Sequence, residues 1–147
     1  MVRGANRDAD MPEAELSLEG MQAFGESLGL RLAPGAVVTL SGELGAGKTT
    51  LVQAIARGYG VREPVTSPTF ALIHEYSGAR SAVLHLDLYR LDGPHQLANI
   101  GWEDALVSGA LVLIEWPERA SGALPDGTVP LRVSYAPGSS STRVVSW

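Results

Sequence analysis

AVVTLSGELGAGKTT, residues 36–50, sets the reading of the whole chain. Ala36 to Leu40 is a short apolar run with β-branched residues inside it, which predicts a buried strand. Gly42 to Thr49 fits G-x-x-x-x-G-K-[ST], the phosphate-binding loop. Leu51, Val52, Ile55, Ala56 and Tyr59 then trace the buried face of a helix, with Gly58 and Gly60 at its end. In the order strand, glycine-rich loop, helix, the pattern has a mechanism. The glycines let successive backbone N–H groups curl inward toward phosphate oxygens, and the helix N-terminus adds its dipole. Glu43, Leu44, Gly45, Ala46, Gly47, Lys48, Thr49 and Thr50 are therefore candidate nucleotide contacts. Lys48 supplies the charge for the β- and γ-phosphates, and Thr49 a hydroxyl for Mg²⁺. At ordinary residue frequencies a chain of this length gives on the order of 0.005 accidental matches.

Lys48 is also the only lysine; the other ten fixed cations are arginines. A slender ammonium can thread among glycine amides where a broad guanidinium meets the loop sterically. No lysine remains for the N-K-x-D element of the common guanine-specific sites, so an adenine nucleotide, ATP, is favoured.

The 147 residues suffice for one domain with a real core, and 45% hydrophobic with 18% charged residues is an ordinary globular balance. No apolar run approaches the ~20 residues of a membrane helix, and MVRGANRDADMPEAE lacks a hydrophobic signal core, so no membrane role and a cytoplasmic location are expected. Without cysteine there is no disulfide, thiolate metal site or cysteine nucleophile. A net charge of −5 argues against gripping nucleic acid by bulk electrostatics, though not against contact through a partner.

Around the loop, the expected organisation is a flexible tail over residues 1–13 and a single P-loop domain over residues 14–147. Met21, Phe24, Leu28 and Leu32 predict an amphipathic helix. Phe70–Tyr76 and Ser81–Tyr89 predict two strands about a turn at Ser77-Gly78. In the second, Leu84, Leu86 and Leu88 share one face and His85, Asp87 and Tyr89 the polar other. Pro94–Val107 reads as short helices, and Ala110–Ile114 as a strand buried on both faces. Pro117–Gly127 reads as a loop with room for one helical turn. Val129–Tyr135 and Thr142–Trp147 predict a terminal antiparallel hairpin. The fold class is α/β.

A phosphate loop needs an acid at a nearby strand end for the hydrated metal. Asp87 ends VLHLD and Glu115 ends LVLIE; either or both can serve, one on the metal and one on the attacking water. Lys48, Asp87 and Glu115 are thus the catalytic candidates, and Thr49, Asp87 and Glu115 the metal candidates. Thr66, Ser67, Pro68, Thr69 and Phe70 form either a γ-phosphate-sensing switch loop or a plain proline-rich connector. Trp116 is either packing or a shield over the site. His85 reads as a structural histidine, with no third ligand to make a metal pair with Asp87.

Taken together, GELGAGKTT, TSPTFALIHEY, HLDLYRL, NIGWEDAL and LVLIEWPER resemble the TsaE (YjeE) family of bacterial ATPases in order and spacing, from about Leu16 to Leu124. The resemblance implies a compact P-loop fold with a mixed central sheet flanked by helices. It implies Mg²⁺-dependent ATP hydrolysis, slow in isolation, in support of the TsaB and TsaD proteins that make threonylcarbamoyladenosine in tRNA. Contact with tRNA would then be indirect. By position, Thr66–Phe70 matches the family's switch-like segment, Asp87 its metal-linked acid, and Glu115 with Trp116 its functional E-W pair. His95–Gly101 lacks the acidic residues the family often carries before I-G. Two rivals stay open: a small-molecule kinase, for which the chain has little room for a lid and substrate insertion, and an ATP-binding assembly factor that does not hydrolyse.

Overall fold

The computed structural model describes residues 12–43, 45–66 and 72–147. Its elements are β1 (Glu13–Leu16), α1 (Leu18–Arg31), β2 (Val37–Ser41), α2 (Lys48–Gly58), β3 (Ile73–Ser77), β4 (Ala82–Asp87), a 3₁₀ segment (Pro94–Ile100), α3 (Trp102–Val107), β5 (Leu111–Glu115), a 3₁₀ turn (Pro117–Ala120), β6 (Val129–Tyr135) and β7 (Arg143–Ser146). The seven strands form one mixed sheet in the order β1-β7-β6-β2-β5-β4-β3. β6, β2, β5 and β4 run parallel; β7 and β1 extend one side antiparallel, and β3 the other. The expected hairpin of β6 and β7 is therefore not an appendage. β6 pairs with β2, and β7 with β1.

Alternation along the central strands sends their side chains into two cores. Val38, Leu40, Leu111 and Leu113 join α1 and α2 on one face. Val37, Val112, Ile114, Leu84, Leu86 and Leu88 join the 3₁₀ segments and α3 on the other. A sheet buried on both faces needs apolar residues at successive positions, which is what LVLIE and VVTL provide. After β2 the chain crosses to one face, and after β4 to the other. That reversal opens a crevice at the carboxyl ends of the parallel strands, where open α/β sheets place ligands.

β1 was not foreseen. Glu13, inside the stretch read as tail, pairs with Ser146, and Pro12 O accepts from Trp147 N at 3.0 Å. The rest of that stretch, residues 1–11, lies outside the described residues.

α1 is capped by Ser17, whose hydroxyl accepts from Gly20 N at 3.1 Å. Its expected apolar face does turn inward, but its closest approach to α2 is made by glycines. A Cβ on Gly29 would lie 2.2 Å from Ile55 O, and one on Gly25 would lie 2.5 Å from the Ala54 Cβ. Gly58 meets Glu26 O in the same way. The two helices are thus in backbone contact, and any side chain there forces them apart. Gly29→Val is expected to cost about 3 kcal/mol, lowering Tm by roughly 6–12 °C for a domain of this size. Thermal denaturation checks this, with the exposed Ser27→Ala on the same helix as a control that stays near the parent.

Candidate functional site

Three glycines of the loop hold positive φ: Gly42 at 145°, Gly45 at 82° and Gly47 at 107°. At Gly42 the need is also steric, since a Cβ would sit 2.1 Å from Val133 O. The curl they permit delivers the chain into α2, whose first intrahelical bond runs from Leu51 N to Gly47 O at 3.1 Å. The N-terminal N–H groups of α2 therefore open onto the loop.

Lys48 begins this helix and is 5% exposed. Its Nζ donates to Gly42 O and, at 3.0 Å, to Glu43 O, so the loop closes around its own amine. The Trp116 ring covers the ammonium, with Nζ 4.0 Å from its centroid. Burial pulls the Lys48 pKa below its ordinary value, against the opposing pull of Glu115, Glu118, Asp87 and Glu43. Trp116 reaches this position through a left-handed backbone, φ 61°, the only non-glycine residue with positive φ among the described residues. Its ring also leans on Tyr89 at 5.0 Å.

The acids come from neighbouring parallel strands. Asp87 and Glu115 stand opposite each other in the β4–β5 register, at the carboxyl ends beside the loop. Glu115 is 3% exposed, and the Thr49 hydroxyl lies 3.3 Å from each of its carboxylate oxygens. Asp87 is nearer the rim, where its Oδ1 accepts from Tyr89 N at 3.0 Å. Lys48, Thr49, Asp87, Glu115 and Trp116 line one cleft of about 350 Å³ with Gly45 and Gly47. Thr50 lines it too, and Ala46 with Thr50 also faces a second cavity on the α1 side.

Burial raises the Asp87 pKa above its ordinary 3.8, more than the Tyr89 N–H lowers it. A carboxyl with a raised folded pKa costs nothing below its unfolded pKa, and the penalty stands in full above the folded one. Asp87→Asn, which keeps the oxygen facing Tyr89 N, should therefore raise Tm slightly at pH 7. The gain should vanish below about pH 4. Melting curves across pH check both halves.

The family model described as threonylcarbamoyl adenosine biosynthesis protein TsaE matches residues 16–144. The chain belongs to the TsaE family. It is 48% identical over 99 residues to the TsaE protein of a Nostoc species, and 40% identical over 99 residues to that of Haemophilus influenzae. These matches cover 65% and 67% of the chain, and 61% and 63% of the relatives' own lengths. The crystal structure of Bacillus subtilis YdiB superposes with a TM-score of 0.75 at 26% identity, covering 92% of the chain and 84% of YdiB.

Of the residues singled out by sequence in this TsaE-family chain, Lys48, Thr49, Asp87, Glu115 and Trp116 converge on one cleft. Thr66 stands apart, its N–H donating to the Tyr76 hydroxyl at 3.3 Å. Leu44 and the remainder of the switch segment, Ser67, Pro68, Thr69 and Phe70, lie outside the described residues. His85 is the residue whose partner the sequence did not give. It does lie on the same face of β4 as Asp87, but that face is buried: His85 is 0% exposed, with Nε2 2.6 Å from Glu115 Oε2. The available signal was a lone imidazole inside an apolar strand, without the 30-residue register that sets it beside Glu115.

Proposed function

We propose that this chain binds ATP in the cleft and hydrolyses it in a Mg²⁺-dependent reaction that supports TsaB and TsaD in making threonylcarbamoyladenosine in tRNA. The observation that carries the reading is the partly buried contact of Thr49 with the buried Glu115, directly beside Lys48. Phosphate loop, hydroxyl and acid are already assembled, on the ends of rigid elements.

The residues fit both groups. Lys48 now satisfies its ammonium with the carbonyls of Gly42 and Glu43; bound phosphate offers charged oxygens in their place, a stronger acceptor. The N–H groups of the loop and first turn of α2 add donors around the β-phosphate. Thr49, Asp87 and Glu115 provide the oxygen donors that Mg²⁺ prefers. Among the described residues no three His, Asp or Glu side chains form a metal cage, and none is needed where phosphate and water fill most of the coordination shell. Mg²⁺, when bound, neutralises charge on the phosphate oxygens.

Glu115 is the group we assign to orienting the attacking water. It is buried and fixed at a strand end, so its carboxylate needs no rearrangement to accept a proton. Trp116, stacked over Lys48 and against Tyr89, excludes bulk water from the phosphate end and strengthens the charges inside. Lys48, Asp87 and Glu115 are the catalytic set under this reading, in one domain over residues 14–147.

Reconstitution with TsaB and TsaD tests the pathway assignment. Repeated rounds of tRNA modification should depend on this chain and on ATP. Equal yields over many turnovers without it would remove the assignment. No helix among the described residues is long and apolar enough to cross a membrane, and the reading places the reaction in the cytoplasm.

A further inference from the structure

We propose that His85 is a positioning residue for Glu115. Its Nε2–H holds one carboxylate oxygen, so that the other stays turned toward the phosphate end of the cleft. The inference rests on the role assigned to Glu115 above.

The register explains why these two meet. In the parallel β4–β5 pair, Asp87 stands opposite Glu115 and His85 opposite Leu113. His85 is therefore the diagonal neighbour of Glu115, within reach of a long side chain. The bond is 2.6 Å between groups that are 0% and 3% exposed. A carboxylate only accepts, so Nε2 must be the donor.

The Thr49 hydroxyl is 3.3 Å from both oxygens of Glu115, and so does not choose between them. His85 touches Oε2 alone and breaks that symmetry. Among the described residues these are the only two donors to the carboxylate. If the hydroxyl of Thr49 turns to a cation, His85 remains the fixed one.

The imidazole is costly where it stands. Nδ1 is buried without a partner among the described residues. An apolar side chain in the same slot would avoid that unsatisfied atom. Filling space therefore does not account for a histidine at this position, whereas a donor for Glu115 does.

Two measurements test this. In the parent protein, ¹⁵N–¹H spectra of the His85 ring should show the proton on Nε2 and protected from exchange, with protection lost in Glu115→Ala. A proton on Nδ1 with none on Nε2 would overturn the proposal without any variant having to fold. In the second, His85→Leu should lower kcat about 10–100-fold while KM for ATP stays within about threefold. It should also shrink the gain in ADP affinity that Mg²⁺ gives. His85→Gln, whose amide nitrogen occupies the place of Nε2, should recover most of the kcat. Parental turnover in His85→Leu overturns the role, as does a His85→Gln protein equally slow when both melt like the parent. If Glu115→Ala loses turnover while His85→Leu keeps it, the reading of Glu115 stands and the positioning role falls.

Discussion

Lys48→Ala should weaken ATP binding at least about 100-fold, some 2.8 kcal/mol, and take phosphate release to background. The magnitude follows from what the ammonium does now. It is buried, its charge is opposed by desolvation, and it is held by two backbone carbonyls and the face of Trp116. Those neutral partners are poorer than phosphate oxygens, so the exchange on binding favours nucleotide. Removing the amine frees Gly42 O and Glu43 O beside an open cleft, where water replaces it, and the fold should survive. Lys48→Arg should fail almost as badly. The loop wraps the amine so closely that a planar guanidinium cannot sit between the same carbonyls. Equilibrium titration with a fluorescent ATP analogue gives the affinities, and circular dichroism verifies the fold.

Glu115→Ala should bind ATP within about threefold of the parent and hydrolyse it on the order of 10³-fold more slowly. Affinity survives because the loop and Lys48 hold the phosphates; turnover fails because no other carboxylate among the described residues is buried there to accept the proton. Asp87 is nearer the rim, and its Oδ1 is engaged by Tyr89 N, so it is poorly placed to substitute. Glu115→Gln keeps the shape of the side chain, leaves the loop undisturbed and should be nearly as slow. Single-turnover phosphate release separates this loss from any change in binding. Parental rates in both variants would remove Glu115 from the chemistry.

The parts of this site that could be read from sequence are those whose spacing is local. GELGAGKTT fixes strand, loop and helix within one short stretch, and LVLIE announces a strand buried on both faces by its unbroken apolar run. β1 could not be read in the same way. EAEL is half charged, and its pairing comes from β7 at the far end of the chain. Gly25, Gly29 and Gly58 look like weak points in helices, yet they are where α1 and α2 touch, a fact that exists only once two distant helices are packed. Trp116 turns over Lys48 through a left-handed backbone that no glycine advertises. His85 and Asp87 were visible as neighbours on one strand face, but the bond to Glu115 depends on the register of β4 against β5. Spacing alone does not rank Asp87 against Glu115, while the family resemblance matches Asp87 to the metal-linked acid and favours Glu115 for orienting water or metal. Burial and the Thr49 contact distinguish them physically, with Glu115 inside and Asp87 at the rim.

The central claim is that the assembled cleft hydrolyses ATP rather than merely holding it. The direct measurement is phosphate released per chain from MgATP in the presence of TsaB and TsaD, with Lys48→Ala as background. Several phosphates per chain, lost in Glu115→Ala while ATP still binds, is the predicted result. Bound ATP with no phosphate above the Lys48→Ala background would contradict it and leave the chain an ATP-binding assembly factor.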